Sequence, residues 1–203
     1  MENFDLMAKD YDTDKRADRA MVIADEIRRH IGAGKGTAIE FGCGTGLVGL
    51  QLANDFAELT LLDSSVEMVR QATTKLEALS HPAVSALCYD LLEDVPERMA
   101  ADYIFSSLVL HHIKDTTDIF RRFHRILNDG GRLLIVDLDE EDGGFHAKYP
   151  DFEGHNGFNH RALADIAEAA GFREVTIKTF YRDRKVFMGK ESPYSLFILD
   201  AVK

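Results

Sequence analysis

The chain alternates two kinds of apolar pattern. Short, nearly continuous apolar runs at Thr37–Phe41, Glu58–Asp63, Val84–Tyr89, Asp102–Leu108 and Arg132–Asp137 predict strands. Between them, apolar residues recur every three or four positions, which predicts helices with one buried face. The helical sets are Ala17, Met21, Ala24 and Ile27, then Leu47, Leu50 and Leu52, then Met68, Val69, Ala72, Leu76 and Leu79. A further set comprises Ile119, Phe120, Phe123, Ile126 and Leu127, ending before Asn128-Asp129-Gly130-Gly131. The last helix is expected to open at Asn159, run through Leu163, Ile166, Ala167 and Ala170, and stop at Gly171, with Phe172 making the apolar contact beyond it. Two strands remain, around Val175–Phe180 and Tyr194–Val202, and the modest loop between them predicts an antiparallel pair. Strands alternating with helices predict an α/β, doubly wound, mostly parallel sheet, with ligands bound at the carboxyl ends of its strands. One domain over 1–203 is the economical reading of 203 residues.

Those strand ends carry the chemistry. The first closes with Glu40-Phe41-Gly42-Cys43-Gly44-Thr45-Gly46, where alternate glycines let the backbone turn tightly and approach a ligand without a Cβ in the way. A dinucleotide fingerprint would place its third glycine at position 47, which is Leu47. The second strand ends in Asp63, close to the spacing of about 20 residues at which an acid meets ribose hydroxyls. Ser64 and Glu67 form a capping-box pattern, which is expected to leave Asp63 free to face the ligand. Asp90 closes the third strand, and Ser106-Ser107 closes the fourth just before His111-His112.

The Glu40-x-Gly42-x-Gly44-x-Gly46 run resembles the first motif of the class I S-adenosylmethionine-dependent methyltransferases. Asp63, Asp90, the fourth strand end and Asn128–Asp137 resemble later motifs of that family in order and spacing. The resemblance spans about residues 10–203 and is nearest to the small-molecule group that includes the ubiquinone and menaquinone biosynthesis enzymes. It implies a Rossmann-like, seven-stranded sheet whose last strand is antiparallel, S-adenosylmethionine as cofactor and a small-molecule methyl acceptor. By the same resemblance Glu40 faces the methionine end of the cofactor, Asp90 meets the adenine amino group and Tyr11 lies over the cofactor. The cofactor residues so expected are Tyr11, Glu40, Gly42, Cys43, Gly44, Thr45, Gly46, Asp63, Ser64, Asp90, Leu91, Ser106 and Ser107.

A sulfonium methyl is already electrophilic, so the protein must align an acceptor, exclude water and, for a weak nucleophile, take its proton. His111 and His112 are the catalytic candidates, and as neighbours in an extended segment they are expected to point to opposite sides. Asp139–Phe158 is the least regular stretch of the chain and carries Phe145, Tyr149, Phe152 and Phe158, which suits a lid over the acceptor. Residues 1–30 form the expected amino-terminal cap. Histidines and acids in the lid lack an H-x-x-x-H pair, so no metal is expected.

Composition narrows the alternatives. A formal charge of −11 disfavours nucleic acid as partner. The late cluster of Lys178, Arg182, Arg184, Lys185 and Lys190 reads as a solvated face. No run reaches the roughly 18 apolar residues of a membrane span, and the acidic start is unlike a secretory signal, so a cytoplasmic protein without membrane insertion is expected. Cys43 and Cys88 lack the paired spacing of a zinc site, and no disulfide is expected between them. A nicotinamide-dependent oxidoreductase is disfavoured by Leu47, whereas a cofactor-binding protein of the same fold without catalysis remains an alternative. The oligomeric state, the acceptor and the need for a general base are not written in the sequence.

Overall fold

The computed structural model describes residues 4–79, 81–149 and 151–203. Met1–Asn3 of the expected cap and Pro150 of the expected lid lie outside the described residues. Helices α1 (Phe4–Met7) and α2 (Asp14–Arg28) precede β1 (Thr37–Phe41). There follow β2 (Glu58–Asp63), α3 (Val66–Leu79), β3 (Val84–Cys88), β4 (Ala101–Ser107), α4 (Thr116–Ile126), β5 (Leu127–Leu138), α5 (His160–Ala169), β6 (Arg173–Phe187) and β7 (Lys190–Val202).

The seven strands form one sheet in the order β3-β2-β1-β4-β5-β7-β6. The first five are parallel, and β7 enters antiparallel between β5 and β6. Both faces of the sheet are covered, which is why its inner strands read as apolar runs rather than as an alternation. In β5, Leu134 and Val136 join the core built on Ile23 and Ile27 of α2 and Leu76 of α3. Leu133 and Ile135 point the other way, toward Phe120 and Phe123 of α4 and Leu163 of α5.

Several local expectations change. The buried stripe of α2 is Ala20, Ile23, Ala24 and Ile27, whereas Met21 is 47% exposed. Both sets have helical spacing, and only the position of the sheet chooses between them. Leu47, Leu50 and Leu52 do not lie on an α-helix, since the chain after the glycines makes only a 3-10 turn at Gly49–Leu52. The start of α3 is capped by Ser65, whose Oγ accepts from Met68 N–H, and not by Ser64. Strands β6 and β7 run well beyond their apolar segments as a long hairpin, so Lys178, Arg182, Arg184 and Lys185 stand on strands. Backbone pairing with a neighbouring strand extends the ladder where side-chain patterning gives no sign of it. Lys178 pairs with Glu26, Arg184 with Glu191, and Lys185 donates to the Phe145 carbonyl. The last helix behaves as expected: Asn159 accepts from Arg161 and Ala162 N–H, and Gly171 follows with φ +105°. Both cysteines are free.

Candidate active site

A cavity of about 450 Å³ opens at the carboxyl ends of β1, β2, β3 and β4. Its floor is the glycine turn, where Gly42, Gly44 and Gly46 have φ of +69°, +53° and +81°, a region in which L side chains are strained. Gly42 also has a packing reason, because a Cβ there would stand 2.4 Å from Val109 Cγ2. Phe4, Tyr11 and Arg16 form one wall, with the Arg16 guanidinium 4.2 Å from the Tyr11 ring centre. Asp12 ties that segment to the floor through Thr45 Oγ1 at 2.5 Å and Lys75 Nζ at 2.5 Å. Val109, His112, Phe152 and Gly154 line the cavity as well, with the Phe4 ring edge-on to His112 at 5.3 Å between centres.

Three acids face this space from successive strand ends: Glu40, Asp63 and Asp90. Glu40 is 1% exposed, and its Oε2 is buried without a hydrogen-bond partner in the structure. Burial foremost, with the nearby Asp63 charge adding to it, pushes the Glu40 carboxyl up to about 8, against a smaller opposing effect of the Gly49 N–H. Gly49 is the residue that sequence reading missed. A Cβ there would stand 2.2 Å from Glu40 Oε2 and 2.4 Å from Leu61 Cδ2, so the acid occupies space that only glycine leaves. Its signal was present as a fourth glycine beyond Gly46. Asp63 accepts from Gly44 N–H at 2.7 Å and Ser65 N–H at 2.9 Å, and burial holds its carboxyl above the usual range. It therefore fastens the glycine turn to the start of α3 in addition to facing the cavity. Asp90 closes its own turn by accepting from Leu92 N–H.

These bonds revise what Asp63→Ala should do. If Asp63 accepts from ribose hydroxyls, as its place at the second strand end leads one to expect, its loss should cost about 1.5–3 kcal/mol of cofactor binding, and two orphaned backbone donors should lower folding stability by about 1–3 kcal/mol as well. Chemical denaturation measures the second and ligand titration the first. A variant of unchanged stability would show that the Gly44 and Ser65 bonds are replaced by water.

The two adjacent histidines lie in a 3-10 turn, Leu110–His112, rather than in an extended segment, and their ring centres are 4.1 Å apart. Only His112 lines the cavity. His111 is 2% exposed and turned inward, with Nδ1 2.6 Å from Asp137 Oδ1 and its backbone N–H donating to Asp137 Oδ2. His146 closes over both, stacked on Phe152 at 3.7 Å. Burial, aided by the neighbouring His111, lowers the His112 and His146 imidazoles to about 3. His155 is held elsewhere, through Nε2 to the Ile113 carbonyl, and His160 pairs with Asp139.

Of the residues expected at the cofactor, Tyr11, Glu40, Gly42, Cys43, Gly44, Thr45, Asp63, Ser64, Asp90 and Ser107 line the cavity. Gly46, Leu91 and Ser106 are not among its lining residues. Gly46 packs toward Leu50 and Leu61, Leu91 is wholly buried against the α4 side of the sheet, and Ser106 Oγ donates to the Phe41 carbonyl between strands. Strand alternation explains the serines: Ser107 and Ser106 face opposite sides. Leu92, at 41% exposure, lines the cavity where Leu91 was expected.

The sheet order, the reversed β7 and the acids at successive strand ends define a class I S-adenosylmethionine-dependent methyltransferase fold. Residues 39–133, a little under half of the chain, match the family model for a methyltransferase domain, and this match and the chain's relatives support a class I S-adenosylmethionine-dependent methyltransferase. An uncharacterized methyltransferase of Schizosaccharomyces pombe is 26% identical over 153 residues, covering 68% of this chain and 54% of that protein. A malonyl-[acyl-carrier protein] O-methyltransferase of Ilyobacter polytropus is 30% identical over 136 residues, covering 66% of this chain and 50% of that protein. The fold also matches Haemonchus contortus phosphoethanolamine N-methyltransferase 2, solved with phosphomonomethylethanolamine and S-adenosylhomocysteine, with TM-score 0.74, 19% identity and coverage of 92% of this chain and 52% of that one. The chain thus spans about half the length of these proteins. They speak for the class and do not single out the ubiquinone and menaquinone group. Among the described residues no helix is long and apolar enough to cross a membrane.

Proposed function

We propose that this protein binds S-adenosylmethionine in the cavity and transfers its methyl group to a small molecule entering beside His112 and Phe152. The observation that carries the reading is the placement of Glu40, Asp63 and Asp90 around one cavity floored by the glycine turn. The residues present suit the cofactor: Asp63 the ribose hydroxyls, Asp90 and Leu92 the adenine, and the buried, unpartnered Glu40 Oε2 the cationic methionine end. S-adenosylmethionine supplies an electrophilic methyl on a sulfonium, so the chain's own residues must position the acceptor and exclude water. Tyr11 and the amino-terminal segment cap the cavity, and the 139–158 segment acts as the lid beside them through Phe152 and Gly154, with Phe4 and Phe152 both against His112.

His112 is better suited to positioning than to proton removal. An imidazole lowered to about 3 stays neutral at pH 7, and it is a weak base far from the optimum near the working pH. The site therefore favours acceptors that need no strong base, such as a carboxylate, a thiolate or an unprotonated amine. The malonyl-[acyl-carrier protein] O-methyltransferase and the phosphoethanolamine N-methyltransferase are by name an O- and an N-methyltransferase, which is compatible with that class.

The test is a cofactor titration followed by turnover. S-adenosylmethionine at 100 times its dissociation constant is expected to stabilise the fold by roughly 2.7 kcal/mol, while NADH does not. Release of S-adenosylhomocysteine in a screen of carboxylate, thiol and amine acceptors then separates an enzyme from a binding protein. Phe152→Ala is expected to keep the stabilisation and lose turnover. Deleting the loop would be a poorer test, because that segment holds His146 against His111. Stabilisation by NADH alone would overturn the assignment.

A further inference from the structure

The histidines at the wall of the cavity come from distant parts of the chain: His111 and His112 from the turn after β4, and His146 from the segment after β5. One ligand-capable atom of each lies within 4.8 Å of the others. His146 is 5% exposed, and its Nδ1 is buried with no hydrogen-bond partner in the structure. A buried polar atom left unpaired is costly, and it signals a partner the protein chain does not supply. We propose that His111, His112 and His146 bind a late first-row divalent metal ion such as Zn²⁺.

The chemistry of the donor set supports this. Imidazole suits zinc and its neighbours in the transition series, and three protein ligands with one position left over is the usual arrangement of a reactive zinc site. Asp137 Oδ1 takes the Nδ1 of His111, so His111 offers its Nε2 and is oriented by a carboxylate, the pairing that commonly stands behind metal-bound histidines. Distances agree as well. With Zn–N near 2.1 Å, tetrahedral ligand nitrogens sit about 3.4 Å apart, so the cluster, within 4.8 Å in the structure, closes by at most about 1.4 Å. Rotation of the His112 and His146 side chains would have to supply that closure, altering their ring contacts with each other, with Phe152 and, for His112, with Phe4. The aromatic sleeve of Phe145 and Phe152 keeps bulk water from the ion. Because His112 lines the cavity, the ion borders the acceptor space and offers an oxygen or sulfur acceptor a Lewis-acidic anchor. The expectation of no metal rested on local spacing, and these residues are brought together only by the fold.

The experiment uses the full chain stripped with a chelator and dialysed against Zn²⁺, with metal content, thermal stability and, for Co²⁺, visible absorption as readouts. One equivalent of Zn²⁺ per chain, a raised melting temperature and a tetrahedral Co²⁺ spectrum are expected. His146→Ala and His112→Gln should each weaken Zn²⁺ at least tenfold, whereas His155→Gln and His160→Gln should leave it unchanged, since those rings are bound elsewhere. Circular dichroism identifies variants that keep the fold, and His112→Gln, at a half-buried position, serves if His146→Ala does not fold. Absence of stoichiometric Zn²⁺ in the wild type, or equal loss in the control variants, overturns the proposal. These readouts do not depend on methyl transfer, so failure here and failure of the methyltransferase reading remain distinguishable.

Discussion

Asp137→Ala is expected to destabilise the protein by several kcal/mol, at about 1–3 kcal/mol for each buried donor left unsatisfied. Asp137 is fully buried, and its two oxygens accept from the His111 ring, His111 N–H and Leu138 N–H. An alanine leaves all three donors without a partner in a region that water does not reach. Asp137→Asn should lose less, because its amide oxygen can still accept one or two of these bonds. Urea denaturation measures both, and a shift of the midpoint at unchanged slope reports stability alone. A loss below about 1 kcal/mol for Asp137→Ala would mean that the turn after β4 is held by packing and not by this carboxylate.

The second large effect is a proton. With its carboxyl near 8, Glu40 holds a proton at pH 7 in the ligand-free protein. If the cationic end of the cofactor lies against it, binding favours the carboxylate and expels that proton. Affinity should then rise with pH by up to tenfold per unit and level off above about 8. Calorimetry in buffers of different ionisation enthalpy counts the proton directly. Glu40→Gln should remove both the proton release and the pH dependence. Proton uptake, or none, would place the cation elsewhere. The stability of the ligand-free protein carries the opposite sign. A folded value raised above the usual 4.5 gives a contribution that is complete below about 4.5 and is lost as pH rises toward 8.

Much of this was legible in the residues. The apolar runs and helical spacings of β1, β2, α4 and α5 appear in the structure with nearly the bounds their periodicity gives. Patterning succeeds there because both faces of an inner strand, or one face of a helix, must leave water, and that demand is written locally. Backbone chemistry was equally readable: Gly42, Gly44 and Gly46 take positive φ, and Asn159 caps α5.

What the sequence left open depended on which side an element turned or on what met it from afar. Ala20 and Ile23, not Ala17 and Met21, face the core, and Ser107, not Ser106, faces the cavity, because sheet placement selects among faces that local spacing leaves equivalent. The Ser64 and Glu67 pattern leaves Asp63 free of helix capping, yet the fold engages both of its oxygens with backbone donors. The requirement for glycine at Gly49 is visible only once Glu40 and Leu61 are seen to occupy the space of its Cβ. His146 stands beside His111 through pairing of Glu140 and Glu141 with Phe158 and Asn156, which folds the segment back on the turn after β4. Sequence alone thus determined the layered sheet, the glycine turn and the acids at its strand ends, because each follows from local burial or backbone conformation. Tertiary structure alone decided which histidine faces the cavity and which are gathered behind it, because those contacts join residues that no local pattern links.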